Sequence, residues 1–335
     1  MLKRPKILVV GSFMMDLIAS TRVAPKSGET VIGLSFQTAP GGKGANQAVQ
    51  CARLGADTVM VGRVGTDVFG DIMLATAAEA GVDVSHVTRD PLTASGIGHI
   101  TLEVTEHGVQ NRITVCPGAN HTLTVADVAW LKQEISKFDI VMIQFELPME
   151  VNEAVARWAH DAGVAVMINP APSAPISDSL MSCATYISPN EHEAAAISGH
   201  PIRVDGNVIE EDIRAVADIL RGKGSENLVI TLGENGSALA GKSGLIREGC
   251  VRMPHVADPT AAGDSFVAAF CTGITAGLST KNALAFAAHT AAITVSRMGA
   301  MPSLPTIEEV RRLMEERAYK GFDLSALNVL SERRK

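Results

Sequence analysis

Apolar residues along this chain fall in short runs rather than in one long periodic stripe. β-Branched runs at 7–10, 58–64, 140–144, 164–168 and 228–232 alternate with alanine-rich stretches at 44–54, 71–80, 151–160, 191–197 and 213–221. Continuous apolar runs of strand length, spaced by helical segments, predict a parallel sheet covered by helices on both faces. Two regions break the rhythm. Residues 17–40 and 97–115 alternate polar and apolar positions and are rich in Thr, Val and Ile, as half-exposed antiparallel strands are. They predict a small second sheet beside the main one, placed to cover a site as a lid. Residues 262–317 read as helical, with Pro302 and Pro305 parting two helices, and the chain after Tyr319 carries no strong pattern. The expectation is one α/β domain over residues 1–320, its lid drawn from 17–40 and 97–115, and a tail at 321–335.

Composition narrows the function classes. The chain of 335 residues is 46% hydrophobic, so a disordered chain is excluded. Lys and Arg number 29 against 36 Asp and Glu, a net charge of −7, which argues against nucleic acid as a partner. Acidity still permits a phosphate ligand, because backbone N–H groups hold anions without lysine. The five cysteines (Cys51, Cys116, Cys183, Cys250, Cys271) form no CxxC pair and read as free thiols in a reducing compartment. The basic start, residues 1–6, precedes an apolar run far too short for a signal peptide or a membrane span. A cytoplasmic protein without a membrane partner is expected.

The 30 glycines matter by position. Gly41-Gly42-Lys43-Gly44-Ala45-Asn46-Gln47 opens a helix, where paired glycines let a ligand approach the backbone and Asn46 can face it. Ala261-Ala262-Gly263-Asp264-Ser265-Phe266 opens another. Its small residues leave the first amides of the helix free to face an anion, and a carboxylate there suits a general base in phosphoryl transfer. A helix-capping Asp is the plain alternative. Thr231-Leu232-Gly233-Glu234-Asn235-Gly236 ends a strand in a turn, either a ligand-binding turn at the carboxyl edge of a parallel sheet or an Asn-Gly hairpin.

Two patterns are weaker than they look. Residues 236–243 match GxxxxGKS, but short apolar runs flank the Gly241-Lys242-Ser243-Gly244 turn and no helix follows it, so a hairpin is expected instead of a P-loop. Pro189-Asn190-Glu191-His192-Glu193-Ala194 opens a helix; its carboxylates and amide could organise Mg²⁺ through waters, though taken alone the segment reads better as helix capping. Neither paired zinc-ligand histidines nor GxSxG occurs, and Gly11-Ser12-Phe13 is no GxGxxG, which removes zinc hydrolases, serine hydrolases and Rossmann dehydrogenases.

Taken together, in order and over nearly the whole chain, these segments resemble the ribokinase branch of the PfkB carbohydrate-kinase family. Gly41 to Gln47 looks like the first signature, and Asp258-Pro-Thr-Ala-Ala-Gly-Asp264 like the second, usually written DTxGAGD. Pro259 and Ala261 depart from it, and the anion-hole backbone should survive both. The resemblance implies a three-layer α/β/α fold with a mainly parallel sheet and a β-lid, and ATP-dependent phosphorylation of the 5-hydroxyl of D-ribose. It implies Asp264 as base, the Ala262 and Gly263 amides as anion hole, and Asp16, Gly42, Lys43, Asn46 and Glu146 around the sugar. Asn190 and Glu193 fall to the Mg-ATP side, with Thr231, Gly233 and Gly236 in the nucleotide turn. His289 is expected at the adenine, beside Ala288, which occupies a position usually filled by Asn or His. A potassium ion is implied next to Asp258, Thr260, Gly299 and Ser303, with Thr294 and Arg297 as carbonyl donors, and a homodimer pairing through the lid. Met14 stands where bacterial ribokinases often have an Asn that bonds a ribose hydroxyl, which methionine cannot replace. Deoxyribokinase relatives and some animal ribokinases show Met there. The competing readings are a 2-deoxyribokinase, another kinase of the family acting on fructose or a nucleoside, and a catalytically silent sugar-binding regulator.

Overall fold

The computed structural model describes residues 2–106, 108–205, 207–242, 244–317, 319 and 321–331. Its main sheet has nine strands. In spatial order they are Gly244–Glu248, Ser237–Gly241, Asn227–Thr231, Tyr186–Ile187, Ala165–Asn169, Ile140–Gln144, Lys6–Val10, Asp57–Gly65 and Asp83–Asp90. From Asn227–Thr231 to Asp83–Asp90 every pairing is parallel; the two strands at the other edge are an antiparallel hairpin. Successive side chains of a strand face opposite sides, so Ile7 and Val9 enter one core while Leu8 and Val10 enter the other. Burial on both faces is why the central strands read as unbroken apolar runs. The last strand, Asp83–Asp90, was not legible that way, because it is an edge strand with mostly polar, half-exposed residues.

The lid is a four-stranded sheet. Its strand Met14–Thr21 pairs antiparallel with Ser35–Gly41 but parallel with Gly96–Thr105, which in turn pairs antiparallel with Gly108–Cys116. This corrects the expectation of an antiparallel sheet. The chain returns to the main domain between residues 41 and 96, and a crossover of that length permits a parallel neighbour.

The helical third of the chain also departs from expectation. Two helices, Ala262–Ala276 and Thr280–Val295, precede the prolines and one, Ile307–Glu316, follows. The break lies at Gly277, whose φ of 98° ends the first helix, and Ser279, whose side chain accepts from the Asn282 amide to start the second. The tail is ordered as far as it is described: Leu327 and Leu330 are buried in the core. Residues 332–335 lie outside the described residues. Ser237–Gly241 and Gly244–Glu248 form the expected hairpin, so the P-loop spelling there has no P-loop geometry; its Ser243 is outside the described residues.

Candidate active site

The helix Lys43–Arg53 organises the site. It is buried along most of its length, packed beneath the sheet and against Ala262–Ala276. Its entry depends on two glycines. Gly42 has φ of 95°, and a Cβ there would sit 2.6 Å from the Met14 amide nitrogen. A Cβ on Gly44 would meet the Ser12 nitrogen at 2.5 Å. Only glycine lets the turn press this closely on the end of the strand Lys6–Val10.

The residues expected around the sugar gather at that entry. Glu146, in the turn after Ile140–Gln144, accepts from the Lys43 amide at 3.0 Å and from the Ser12 hydroxyl. Asp16 rises from the lid strand Met14–Thr21 between Gly41 and Gly98. Burial, together with the negative charges of Glu146 and Asp258, pushes its carboxyl up to about 6. Lys43 is half-buried; burial alone would lower its ammonium, but Asp264, Glu146 and Glu193 outweigh that and raise it. Asn46 is 5% exposed and its Oδ1 has no hydrogen-bond partner. Buried polar atoms are ordinarily hydrogen-bonded, so this acceptor has capacity for one more partner.

Asp264 lies in the first turn of the helix Ala262–Ala276, 7% exposed. Its Oδ2 accepts from Asn46 Nδ2 at 2.9 Å and its Oδ1 from Gln47 Nε2 at 3.1 Å. Ala261 before it takes φ of 60°, the left-handed region, where alanine is strained. The predicted pair of anion-hole amides is asymmetric. The Ala262 N–H closes a turn onto the Pro259 carbonyl at 3.2 Å, whereas the Gly263 N–H meets no acceptor among the described residues.

Two cavities meet at this helix start. One, about 230 Å³, is polar, with Lys43, Asn169, Ser188, Glu193 and Asp264 in its wall. The other, about 460 Å³, is mainly apolar, lined by Val251, Val256, Phe266, Ala288, Ala291 and Val295 among others. They share Asn190, Thr231, Pro259, Ala262 and Gly263, and Gly233 and Gly236 line the apolar one.

Comparison with known proteins decides the family. The sequence profile described as "pfkB family carbohydrate kinase" matches residues 4–307. The chain is 40% identical over 314 residues to ribokinase of Schizosaccharomyces pombe, covering 91% of this chain and 96% of that one. It is 37% identical to ribokinase of Bacillus subtilis, covering 92% and 99%. A solved structure of Arabidopsis thaliana ribokinase complexed with ribose and ATP superposes with a TM-score of 0.85 at 31% identity, over 93% of this chain and 99% of that one. The chain belongs to the pfkB family of carbohydrate kinases.

For a carbohydrate kinase, a phosphotransferase acting on a sugar hydroxyl, most expected residues lie close together, and His289 does not join them. Asn190 and Glu193 form a full capping box: Asn190 Oδ1 accepts from the His192 and Glu193 amides, and Glu193 Oε2 from the Asn190 amide. Glu193 still reaches the polar cavity, where burial pushes its carboxyl up. His289 does not face the nucleotide-side cleft. It is 1% exposed, donates from Nδ1 to the Ala285 carbonyl at 2.8 Å and packs edge-on against Tyr319; Ala288 lines the cleft in its place. Adjacent helical positions lie about 100° apart, so a shift of one residue moves a side chain to another face. The cation-side residues are partly joined. Asp258 accepts from the Thr260 amide and hydroxyl and from the Gly299 amide at 2.9 Å, and these bonds outweigh burial and hold its carboxyl low. The Thr294 carbonyl accepts from the Arg297 amide, and Ser303 donates to the Ala300 carbonyl.

Sequence reasoning missed Ser12, Gln47, Gln144 and Asn169 as site residues. Gln144 and Asn169 each close an apolar run at the carboxyl end of a parallel strand, and they pair with one another in register. A polar residue at that place in an otherwise apolar run is the signal, since ligands of α/β sheets bind at the carboxyl ends of strands.

Proposed function

We propose that this carbohydrate kinase transfers the γ-phosphoryl group of ATP to the 5-hydroxyl of D-ribose, yielding ADP and D-ribose 5-phosphate. The observation that carries the reading is Asp264, held by two amides where a polar cavity meets an apolar one. The sugar lies over Asp16, Gly42, Asn46 and Glu146, and the open Asn46 Oδ1 accepts one of its hydroxyls. The adenine enters the apolar cleft. Asp264 takes the proton from the 5-hydroxyl as that oxygen bonds to phosphorus and the bond to ADP breaks. The Gly263 amide, aided by the start of its helix and by Lys43, receives the charge of the transferring group.

Two ions fit residues present. Glu193 and Asn190, on the wall of the polar cavity, suit a hydrated Mg²⁺ bound to the ATP phosphates, which would neutralise their charge. Asp258, Thr260, Gly299 and Ser303, with carbonyls of Thr294 and Arg297, offer oxygen ligands only. Among the described residues no cluster of three His, Cys, Asp or Glu exists to hold a metal, so the set suits a weakly held K⁺ rather than a transition metal. The lid's exposed Phe36, Ile113 and Val115 support pairing of two copies through that sheet. No helix among the described residues is long and apolar enough to cross a membrane. The five free cysteines fit a reducing, cytoplasmic setting.

Met14 favours a second substrate, 2-deoxyribose. The side chain is buried, with its sulfur 3.7 Å from the Asn120 amide, and cannot replace a lost hydroxyl contact. The test is ADP release with ribose, 2-deoxyribose, fructose and adenosine, each in potassium and in sodium. Ribose should give the highest kcat/KM, and potassium should exceed sodium. Activity on none of them would overturn the kinase reading, and equal rates in both salts would overturn the cation site.

A further inference from the structure

The hydrogen bonds around Asp264 are unequal in what they can reach. Asn46 donates to Oδ2 while its own Oδ1 has no partner in the chain, which in the proposed reading leaves it an acceptor for the sugar. Gln47 donates to Oδ1 but is fully buried, with no surface left for a ligand. The same Nε2 also donates to Asn169 Oδ1 at 3.0 Å, and Asn169 Nδ2 donates to the Ser188 carbonyl at 2.8 Å. The orientation of the Gln47 amide is set from behind. Gln144, also fully buried, donates from Nε2 to Gln47 Oε1 at 2.7 Å, which commits the Gln47 nitrogen to Asp264. Gln144 is in turn tied at its carbonyl by Asn152 Nδ2, at 2.8 Å.

The geometry points to Gln47 as a positioning residue for the phosphoryl-transfer base, with Gln144 fixing its amide. Gln144 and Asn169 are neighbours at the carboxyl ends of two central, fully paired strands. Through Gln47 they connect the sheet to one oxygen of a carboxylate that otherwise stands on the first turn of a helix. A base held at one oxygen can rotate about χ2. Held at both, it presents a lone pair in a single direction, as proton abstraction at the moment of attack requires. The chain of amides meets the polar cavity at Asn169 but contributes nothing to the lining of the apolar one, so its effect is expected on the chemical step rather than on adenine affinity.

This inference rests on Asp264 being the base, and the experiment separates the two. Gln47→Met keeps length and burial while removing the donor; Gln144→Met leaves the donor but frees it to turn. Steady-state kinetics of both are compared with the intact protein, with Asp264→Asn and with the Gln47→Met/Asp264→Asn double variant. Thermal melting and nucleotide-binding titrations check that each folds. The expected result is a kcat roughly 10- to 100-fold lower for Gln47→Met, the size of one lost hydrogen bond to a charged group, and a smaller loss for Gln144→Met. KM for ATP should stay within about twofold, since uniform binding is untouched. In the Asp264→Asn background Gln47→Met should add almost nothing, because its effect passes through that carboxylate. A folded Gln47→Met variant with normal kcat, or losses that multiply in the double variant, would overturn the inference while leaving the base in place. Normal turnover by Asp264→Asn would overturn both. Should Gln47→Met fail to fold, the Gln144→Met result decides alone: a normal kcat there overturns the inference.

Discussion

The two halves of the site solve recognition differently. On the side we assign to the sugar, Asp16, Glu146, Lys43 and Asn46 crowd charge and directional hydrogen bonding into a small, mostly buried space. On the other side, Val251, Val256, Phe266, Ala288 and Ala291 offer a smooth apolar slot. A small polyol is told from its relatives by which hydroxyls find partners, and each unmatched buried group is heavily penalised. A flat aromatic base needs only surface on its faces. The polar side is assembled from residues distant in sequence, and the apolar side comes mainly from the helices Ala262–Ala276 and Thr280–Val295 and from residues 250–259.

Breaking the junction should have the largest effect. Asp264→Asn is expected to lower kcat by roughly two to four decades, as loss of a general base does, while sugar and nucleotide titrations stay near normal. A variant with near-normal rate removes the role.

Next in size is the charged half. Asp16→Asn should raise KM for the sugar about tenfold or more and leave KM for ATP alone, measured by steady-state kinetics. Its stability effect has the opposite sign. The Asp16 carboxyl is raised from 3.8 to about 6, so between those values the native state holds a proton that the unfolded chain has released. Stability therefore falls as pH rises through that window, and the penalty is complete above it. Removing the charge should stabilise the protein by about 1–2 kcal/mol near neutral pH, after allowance for solvent screening, and by almost nothing at the acid end of the window. In the intact protein the sugar KM should rise as pH falls below about 6, and in Asp16→Asn that rise should vanish.

The apolar half gives the reciprocal result. Ala291→Asp places an unpaired charge in the slot and should raise KM for ATP about tenfold with the sugar KM unchanged. Equal effects on both substrates would show that the halves are not separable. The smallest effect is expected between them. Ala261 occupies φ of 60°, so Ala261→Gly should stabilise the fold by about 0.5–1 kcal/mol, visible as a higher Tm.

The same contrast explains what could be read in advance. Asp264 and Asn46 stood out because they open helices after glycine-rich turns, where an anion or a ligand can approach the backbone, whereas Glu146 was named only through the family resemblance. The fold's central strands were legible because two-sided burial writes itself as unbroken Val and Ile. His289 failed because the position the resemblance points to is Ala288, whose small side chain lines the cleft and carries no chemical label, while its neighbour His289 turns into the core. Asp83–Asp90 failed because an edge strand needs only one buried face. The parallel lid pairing of Met14–Thr21 with Gly96–Thr105 joins neighbouring strands far apart in sequence, which local alternation cannot encode. Gln144 and Asn169 were visible as letters, but their relay through Gln47 exists only once the strands stand in register.

The most direct test is to identify the product. Ribose and ATP are incubated with the intact protein, and phosphorus NMR follows the fate of the γ-phosphoryl group. The account predicts one ADP per new phosphomonoester, carried on the primary 5-hydroxyl, with no ADP formed when sugar is withheld. An ester on the anomeric hydroxyl, or ADP appearing at the same rate without sugar, would contradict it.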